Sequence, residues 1–167
     1  MNRSLLALLL WLPALLVCGC KGENPRRHYE KEGGFSFVPP EGWQMQSVPA
    51  TKYQMAAGPV ALGVPVNLLV VEKEFPGTVD DLVRTVLRTL PPEFQVRKRE
   101  TFKGDGDLQG IKLIVEIGAE PARLRNSMYI IGKGSTKYLV TGTAPAADAA
   151  TFEALFDASL KTFRFEK

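Results

Sequence analysis

Apolar and polar residues alternate along much of the chain after position 34, with the period of two that is typical of half-buried strands. The pattern is clearest at residues 110–117, where every odd-numbered position is aliphatic. Similar runs at 94–103, 123–131 and 137–143 are joined by glycine-rich or charged turns. These four runs predict an antiparallel meander. One face of the 110–117 strand is fully apolar and must be covered.

Two strands are predicted before the meander. Residues 35–38 alternate and end at Pro39-Pro40, after which Glu41-Gly42 turns the chain. The apolar stretch 66–75 is rich in β-branched residues and stops at Pro76. We interpret it as a central strand of the sheet.

Helical spacing predicts a first helix between these strands and the meander. It begins with Thr78 as the N-cap and two acids in its first turn, and Pro91-Pro92 ends it. Its apolar residues recur every three or four positions and form one stripe, made of Val79, Leu82, Val83, Val86, Leu87 and Leu90.

A second amphipathic helix is predicted at about 147–160. Its inner side carries Phe152, Leu155, Phe156 and Leu160, and we expect it to cover part of the apolar strand face. A short strand at 162–165 closes the chain. This order of elements predicts an α+β fold in which two helices pack on an antiparallel sheet.

A charge-free segment, residues 55–66, lies between the two early strands. Its two glycines and two prolines argue against a regular element, so we expect a hairpin-like loop that carries Val60, Leu62 and Val64. Exposed apolar side chains on a loop tend to mark a contact site. The alternative is a loop folded back over one end of the sheet.

The first 19 residues have the anatomy of a signal peptide: a start with Arg3, an apolar run at 5–17, and a small residue before Cys20. Thirteen apolar residues span roughly 20 Å as a helix, whereas a spanning segment must cross roughly 30 Å of hydrocarbon. We therefore expect cleavage before Cys20 and no transmembrane anchor.

The residues before the cleavage point resemble the lipobox of bacterial lipoproteins, with Val17 at −3, Gly19 at −1 and Cys20 as the acceptor. Cys18 at −2 departs from the usual alanine or serine. The resemblance implies that Cys20 carries a diacylglycerol thioether and an acyl chain such as palmitate, which together make a lasting membrane anchor. Lys21 at +2 favours the outer membrane over the inner one. The alternative is an ordinary secretory signal with incidental cysteines.

The predicted organisation has three parts: a signal peptide at 1–19, a lipidated N-terminus and tether at 20–34, and a globular domain at 35–167. The tether is assigned because residues 21–34 are polar, charged and broken by proline and glycine. The formal net charge of +3 is too mild to imply nucleic acid as a partner.

Two short motifs and one histidine contain residue types that could bind phosphate, bind a metal or catalyse a reaction, but a simpler interpretation fits each of them. Residues 132–136 have the Gly-Lys-Gly-Ser-Thr order of a phosphate-binding loop, but the earlier glycine and the following helix are missing. Asp105 and Asp107 have the spacing of a calcium loop without its later ligands. His28 is the only histidine and falls in the predicted tether. The sequence therefore predicts no catalytic constellation, no cofactor site and no metal site.

Two other groups of residues are candidates for a functional site. A carboxylate pair remains open among Glu72, Glu74, Glu100 and Glu116, although nothing in their spacing selects two of them. The large aromatic residues suit either a ligand-stacking pocket or the core, and we expect core. They are Phe35, Phe37, Trp43, Phe163 and Phe165.

Three segments of the chain resemble PsbP-like domains, a group named for an extrinsic subunit of photosystem II. They are GFSFVPPEGW at 34–43, VNLLVVE at 66–72, and YLVTGT at 138–143 with the closing helix and strand. The resemblance covers residues 34–166 and implies a PsbP-like α/β/α sandwich. It implies no function, because no residue here matches a motif for the photosystem role.

The sequence thus predicts a membrane-anchored envelope lipoprotein that acts as a non-catalytic protein- or ligand-binding module. Its partners would be the membrane, through the lipid on Cys20, and an envelope protein. Two alternatives stay open: an enzyme with a carboxylate-based site, and a structural or assembly factor. The oligomeric state is not predicted.

Overall fold

A computed structural model gives the fold, and it describes residues 24–166. The predicted signal peptide and the predicted lipidation site at Cys20 lie outside the described residues. The elements in chain order are β1 (His28–Glu30), β2 (Phe35–Phe37), β3 (Gln44–Gln46), β4 (Met55–Ala61), β5 (Val64–Glu74), α1 (Val79–Thr89), β6 (Phe94–Lys103), β7 (Gln109–Ile117), β8 (Leu124–Lys133), β9 (Thr136–Pro145), α2 (Ala149–Lys161) and β10 (Arg164–Phe165).

Within residues 24–166, ten strands form two antiparallel sheets. The larger sheet has seven strands in the order β3-β4-β5-β9-β8-β7-β6, and the smaller has three in the order β1-β2-β10. The predicted meander is confirmed, because β6, β7, β8 and β9 pair in sequence order. The predicted central strand is confirmed too, since β5 pairs with β4 on one side and β9 on the other.

Helix α1 starts at a capping box formed by Thr78 and Asp81, which confirms Thr78 as the predicted N-cap. The hydroxyl of Thr78 accepts a hydrogen bond from the Asp81 amide at 3.1 Å, and the Asp81 carboxylate accepts one from the Thr78 amide at 2.8 Å. The buried residues Leu82 and Val83 then pack against Leu113 on β7. The apolar stripe of α1 therefore covers the apolar face of β7.

Helix α2 lies on the opposite face of the large sheet, so the expectation that it covers the apolar face of β7 is wrong. Its Phe156 ring sits directly on Gly142 of β9, where a Cβ atom would come within 2.5 Å of the ring. On the same face, Lys112 of β7 donates to Asp157 of α2 at 2.7 Å. Leu155, expected on the inner side, is 38% exposed.

The two helices thus enclose the seven-stranded sheet in an α/β/α sandwich, and the three-stranded sheet packs on the α2 side. A core of aromatic rings joins the two sheets: Phe35 lies 5.1 Å from Tyr53, 5.6 Å from Tyr138 and 5.1 Å from Phe163 between ring centroids. The expectation that the large aromatic residues belong to the core is confirmed for Phe35, Phe37 and Phe163, which are buried. Trp43 and Phe165 are partly buried and pack against the same core.

The predicted tether extends too far, because the folded domain begins before residue 35. Strand β1 pairs with β2 through His28 opposite Phe37, and the His28 ring meets the Phe37 ring edge to face at 5.7 Å. Arg27 donates to the Ser36 hydroxyl at 2.9 Å and to the Thr162 carbonyl at 3.0 Å. These contacts incorporate the polar segment into the domain, although its sequence alone resembles a solvated spacer.

Candidate functional site

The segment expected to be an irregular loop is a regular hairpin of β4 and β5. Ala61 pairs with Val64, so the turn consists of Leu62 and Gly63 alone. Both residues have positive φ, 52° and 76°, as a two-residue turn of type I′ requires. Gly63 occupies the turn, Gly58 and Pro59 form a bulge, and Pro65 lies in β5 opposite Val60, so none of these residues ends the hairpin.

The turn presents apolar side chains to solvent. Val60 is 71% exposed and Leu62 is 57% exposed. Position 62 in such a turn favours asparagine or aspartate, because a left-handed backbone disfavours most side chains and a leucine gains nothing from water. The leucine is therefore unfavourable for the turn and for solubility, a combination that points to a contact made by its side chain.

A bulge at Gly58 and Pro59 separates the hairpin tip from the rest of β4. Ala57 pairs with Asn67 and Val60 with Pro65, so two residues of β4 face one of β5. The indole of Trp43 lies against Gly58, where a Cβ atom would come within 2.4 Å of the ring. Glycine is thus required at this position by the close approach of the indole.

Trp43 links the hairpin to both the helix layer and the start of the described chain. Its ring meets Phe156 of α2 edge to face at 6.1 Å. One groove beside it is lined by Gly58, Pro59 and Leu155, and a second is lined by residues 25–28 of the N-terminal segment. We call Val60, Leu62, Pro59, Trp43 and Leu155 the hairpin surface. Of the three residues predicted from the sequence, Val60 and Leu62 belong to this surface, whereas Val64 is the first residue of β5. The fold adds Pro59, Trp43 and Leu155.

The four carboxylates left open as a catalytic pair are each engaged by their own partners. Glu116 is buried, and hydrogen bonds from Arg125 and Arg97 hold its pKa below the ordinary value. The partners are Tyr53 and Lys52 for Glu72, Thr136 for Glu74, Lys98 for Glu100, and Arg97 and Arg125 for Glu116. The structure thus places these groups in separate ion pairs and hydrogen bonds rather than in one site.

A polar cluster lies between β7, β8 and α2, where Lys112 and Tyr129 are buried and Asp157 is partly exposed. Asp157 accepts hydrogen bonds from Lys112 at 2.7 Å and from the Tyr129 hydroxyl at 2.6 Å. Burial, and donation of the hydroxyl proton to Asp157, raise the pKa of Tyr129. The phenol therefore stays neutral, and the cluster fixes α2 on the sheet.

The two glycine-rich motifs are turns at the end of the sheet opposite the hairpin. Residues 132–136 contain the β8–β9 turn, and Asp105 and Asp107 belong to the β6–β7 turn, at the rim of a groove of about 800 Å³. Across residues 24–166, no three His, Cys, Asp or Glu side chains are grouped as metal ligands would be. Neither α1 nor α2 has the length and apolar character needed to cross a bilayer.

A comparison with protein-family models finds no match, and a sequence comparison with curated proteins finds none either. Solved structures do match. CyanoP, the PsbP of the cyanobacterium Synechocystis sp. PCC 6803, superposes with a TM-score of 0.60 at 18% identity, over 89% of this chain and 98% of its own. The chain therefore has the PsbP-like fold that its sequence segments resemble.

Two further structures share this fold. LpqN of Mycobacterium tuberculosis, which is involved in cell envelope biogenesis, superposes with a TM-score of 0.59 at 10% identity, over 80% of this chain and 83% of its own. The Saccharomyces cerevisiae Ran-binding protein Mog1p superposes with a TM-score of 0.55 at 13% identity, over 85% of this chain and 95% of its own. At these identities the likeness defines an architecture and leaves the activity to be inferred from the site.

Proposed function

We propose that this protein is an exported lipoprotein of the cell envelope, anchored through lipid on Cys20, and that its domain acts by binding rather than by catalysis. The anchor is supported by the signal-peptide anatomy and the lipobox resemblance at Val17, Gly19 and Cys20. The shared fold with LpqN, which is involved in cell envelope biogenesis, supports the location. Lys21 at +2 favours the outer membrane, with the domain facing the periplasm.

The observation that carries the proposal is the exposed leucine at the left-handed turn of the β4–β5 hairpin. The backbone conformation of this leucine and the exposure of its side chain to water are both unfavourable in the free domain. Burial of the side chain in a complex would account for a leucine at this position. The hairpin surface is therefore the binding site. Each of the four candidate carboxylates is hydrogen-bonded or ion-paired to its own partner, and this supports binding over catalysis.

Photocrosslinking in intact cells tests this function. A photoreactive amino acid at position 62 should form abundant adducts with envelope components, whereas one at the exposed Ser135 in the β8–β9 turn should form few. Replacing Val60, Leu62 and Val64 together by serine, with the photoreactive group at Leu155, should abolish adducts at this surface and leave the melting midpoint nearly unchanged. An unfolded triple variant would show that the hairpin is core, and equal adduct yields at positions 62 and 135 would refute a binding role for the hairpin.

A further inference from the structure

The length of chain between the lipid and the folded domain is short. Asn24 is the first residue that the structure describes, so only residues 21–23 lie between it and Cys20. A residue advances the chain by at most about 3.6 Å, which places Asn24 within about 14 Å of Cys20 in any conformation. A lipid on Cys20 would therefore keep the domain close to the bilayer.

From Asn24 the chain is fixed to the domain at several points. The amides of Arg26 and Arg27 close a local turn on Asn24, at 3.0 Å to its side chain and 2.9 Å to its carbonyl. Arg27 then joins this turn to the domain, because it donates to the Ser36 hydroxyl at 2.9 Å and to the Thr162 carbonyl at 3.0 Å. Arg26 also lies 3.5 Å from Glu41 in the β2–β3 connection. The point where the anchor joins the domain is thus a defined place on its surface.

That place adjoins the hairpin surface. Trp43 lines a groove with residues 25–28 on one side and a groove with Gly58 and Pro59 on the other. Leu62 lies four strand residues beyond Gly58, so the hairpin tip projects about 13 Å past the indole. This projection is comparable to the reach of the three residues between lipid and domain.

The side chains at this end are suited to a lipid interface. No charged residue occurs from Tyr53 to Val71, so the tip enters an apolar boundary without desolvating a charge. Tryptophan favours the headgroup level of bilayers, where its ring meets both apolar chains and water. Arg26 and Glu41, which line the two grooves beside Trp43, lie 3.5 Å apart and pair with each other.

The depth of contact is limited by the backbone. Strand β3 pairs with Met55–Ala57 of β4 only. The outer edge of β4 from Gly58 to Ala61 therefore has no strand partner within residues 24–166, and its polar groups need water. Pro59 removes one of the amide donors from this edge. Only the side chains at the tip enter the acyl boundary, and the strands stay at headgroup level.

We propose that the hairpin surface rests on the same bilayer that holds the lipid on Cys20, so that the anchor and the tip of the β4–β5 hairpin fix the domain on the membrane in one orientation. This inference rests on the proposed lipid anchor. It identifies lipid as the ligand of the hairpin surface. The β6–β7 and β8–β9 turns, about 30 Å away at the other end of β5, then face away from the membrane.

Spin labels on the mature lipidated protein test this orientation. The signal peptide contains Cys18 and the lipid blocks Cys20, so a new cysteine is the only free thiol. Leu62→Cys and Val60→Cys place the label at the tip, and Ser135→Cys is the matched control in the opposite turn. Each protein is reconstituted in vesicles of phosphatidylethanolamine and phosphatidylglycerol. Collisions with oxygen, which enters lipid, are compared with collisions with a water-soluble nickel chelate.

We expect the ratio of oxygen to nickel-chelate collisions to be several-fold higher at positions 60 and 62 than at position 135. Water-like ratios at both tip positions, in protein that floats with the vesicles, overturn the orientation and leave the lipid anchor standing. Tip labels shielded from both reagents overturn it as well, because the tip would then be buried in a second protein copy. Failure of all three proteins to float would contradict the lipid anchor itself and with it the proposed function.

Discussion

At the scale of single residues, Leu62 is unfavourable for the stability of the isolated domain. A non-glycine residue in the left-handed region costs roughly 1–2 kcal/mol, and asparagine tolerates that region better than leucine. The side chain is 57% exposed, so the folded domain recovers little of this cost by packing. We infer that leucine is kept at this position for contact rather than for folding.

Leu62→Asn should therefore stabilise the isolated domain by about 1 kcal/mol while weakening its attachment through the hairpin. Leu62→Ala is the control, because alanine keeps the left-handed penalty and should give no gain. Urea denaturation of the three proteins measures the difference. A less stable asparagine variant would show that Leu62 packs against the fold.

Glu116 gives a prediction for pH. Its ordinary pKa is 4.5, and hydrogen bonds from Arg125 and Arg97 lower the pKa in the folded state. A carboxyl whose folded pKa is lowered contributes stability that is fully present above its unfolded pKa and is lost as the pH falls through the folded pKa. The free energy of unfolding should thus decrease below about pH 4.5.

In Glu116→Gln this part of the acid dependence should be missing. The variant should be less stable than the parent at neutral pH, and the gap should narrow as the pH falls. Glu93→Gln, at an exposed position, is the matched control and should leave the pH profile of the parent intact. A constant gap between parent and Glu116→Gln at all pH values would contradict the role assigned to the charge.

At the scale of elements, α1 depends on one buried stripe. Leu82 is fully buried against β7 and β8, so Leu82→Ala should reduce the free energy of unfolding by roughly 2–5 kcal/mol. Arg84→Ala, on the exposed side of the same helix, should change it by less than about 0.5 kcal/mol. Equal melting midpoints for Leu82→Ala and the parent would mean that α1 is not docked.

Strand β1 depends on a side chain distant in sequence from its partners. Arg27 joins the Ser36 hydroxyl and the Thr162 carbonyl, so Arg27→Ala should leave both without this donor and cost roughly 1–3 kcal/mol. Faster hydrogen exchange confined to β1 and β2 would show the loosening directly. Unchanged exchange there would mean that the segment is held without this residue.

The sequence was sufficient for elements whose signals are local. The capping residues at Thr78 and Asp81 and the apolar spacing of α1 act within a few positions, and the helix appears where they predict it. Strand β1 was missed because its three residues are polar and its stabilising contacts come from Ser36 and Thr162. Alternation in β7 identified an apolar face, but it could not say which helix covers that face, since this depends on chain connections across the sheet.

The difference between local signals and long-range contacts also determines which residues of the hairpin surface could be predicted from the sequence. Composition marked Val60 and Leu62, because a charge-free segment is visible in a sequence. The roles of Trp43 and Leu155 depend on long-range packing against Gly58, and the left-handed turn at Leu62 depends on the pairing of Ala61 with Val64. A two-residue loop with glycine second was the available signal for the hairpin.

At the scale of the whole molecule, the PsbP-like sandwich has two ends with different chemistry. One end carries the first described residues and the uncharged hairpin surface, and the other carries the β6–β7 turn with Asp105 and Asp107 and the end of β8 with Lys133. A lipid anchor at the first end would hold the second toward the periplasm. The proposed orientation and location of the domain therefore depend on the chemistry at Cys20 more than on any residue within the fold.

Mass spectrometry of the N-terminal peptide of the protein, purified from its own membranes, tests this dependence most directly. The account predicts a mature chain that begins at Cys20 and carries a diacylglycerol thioether and an N-acyl chain. It also predicts that Cys20→Ser is neither acylated nor cut at this position. A mature chain with an unmodified Cys20, or one that begins at another residue, would contradict the lipid anchor and the function built on it.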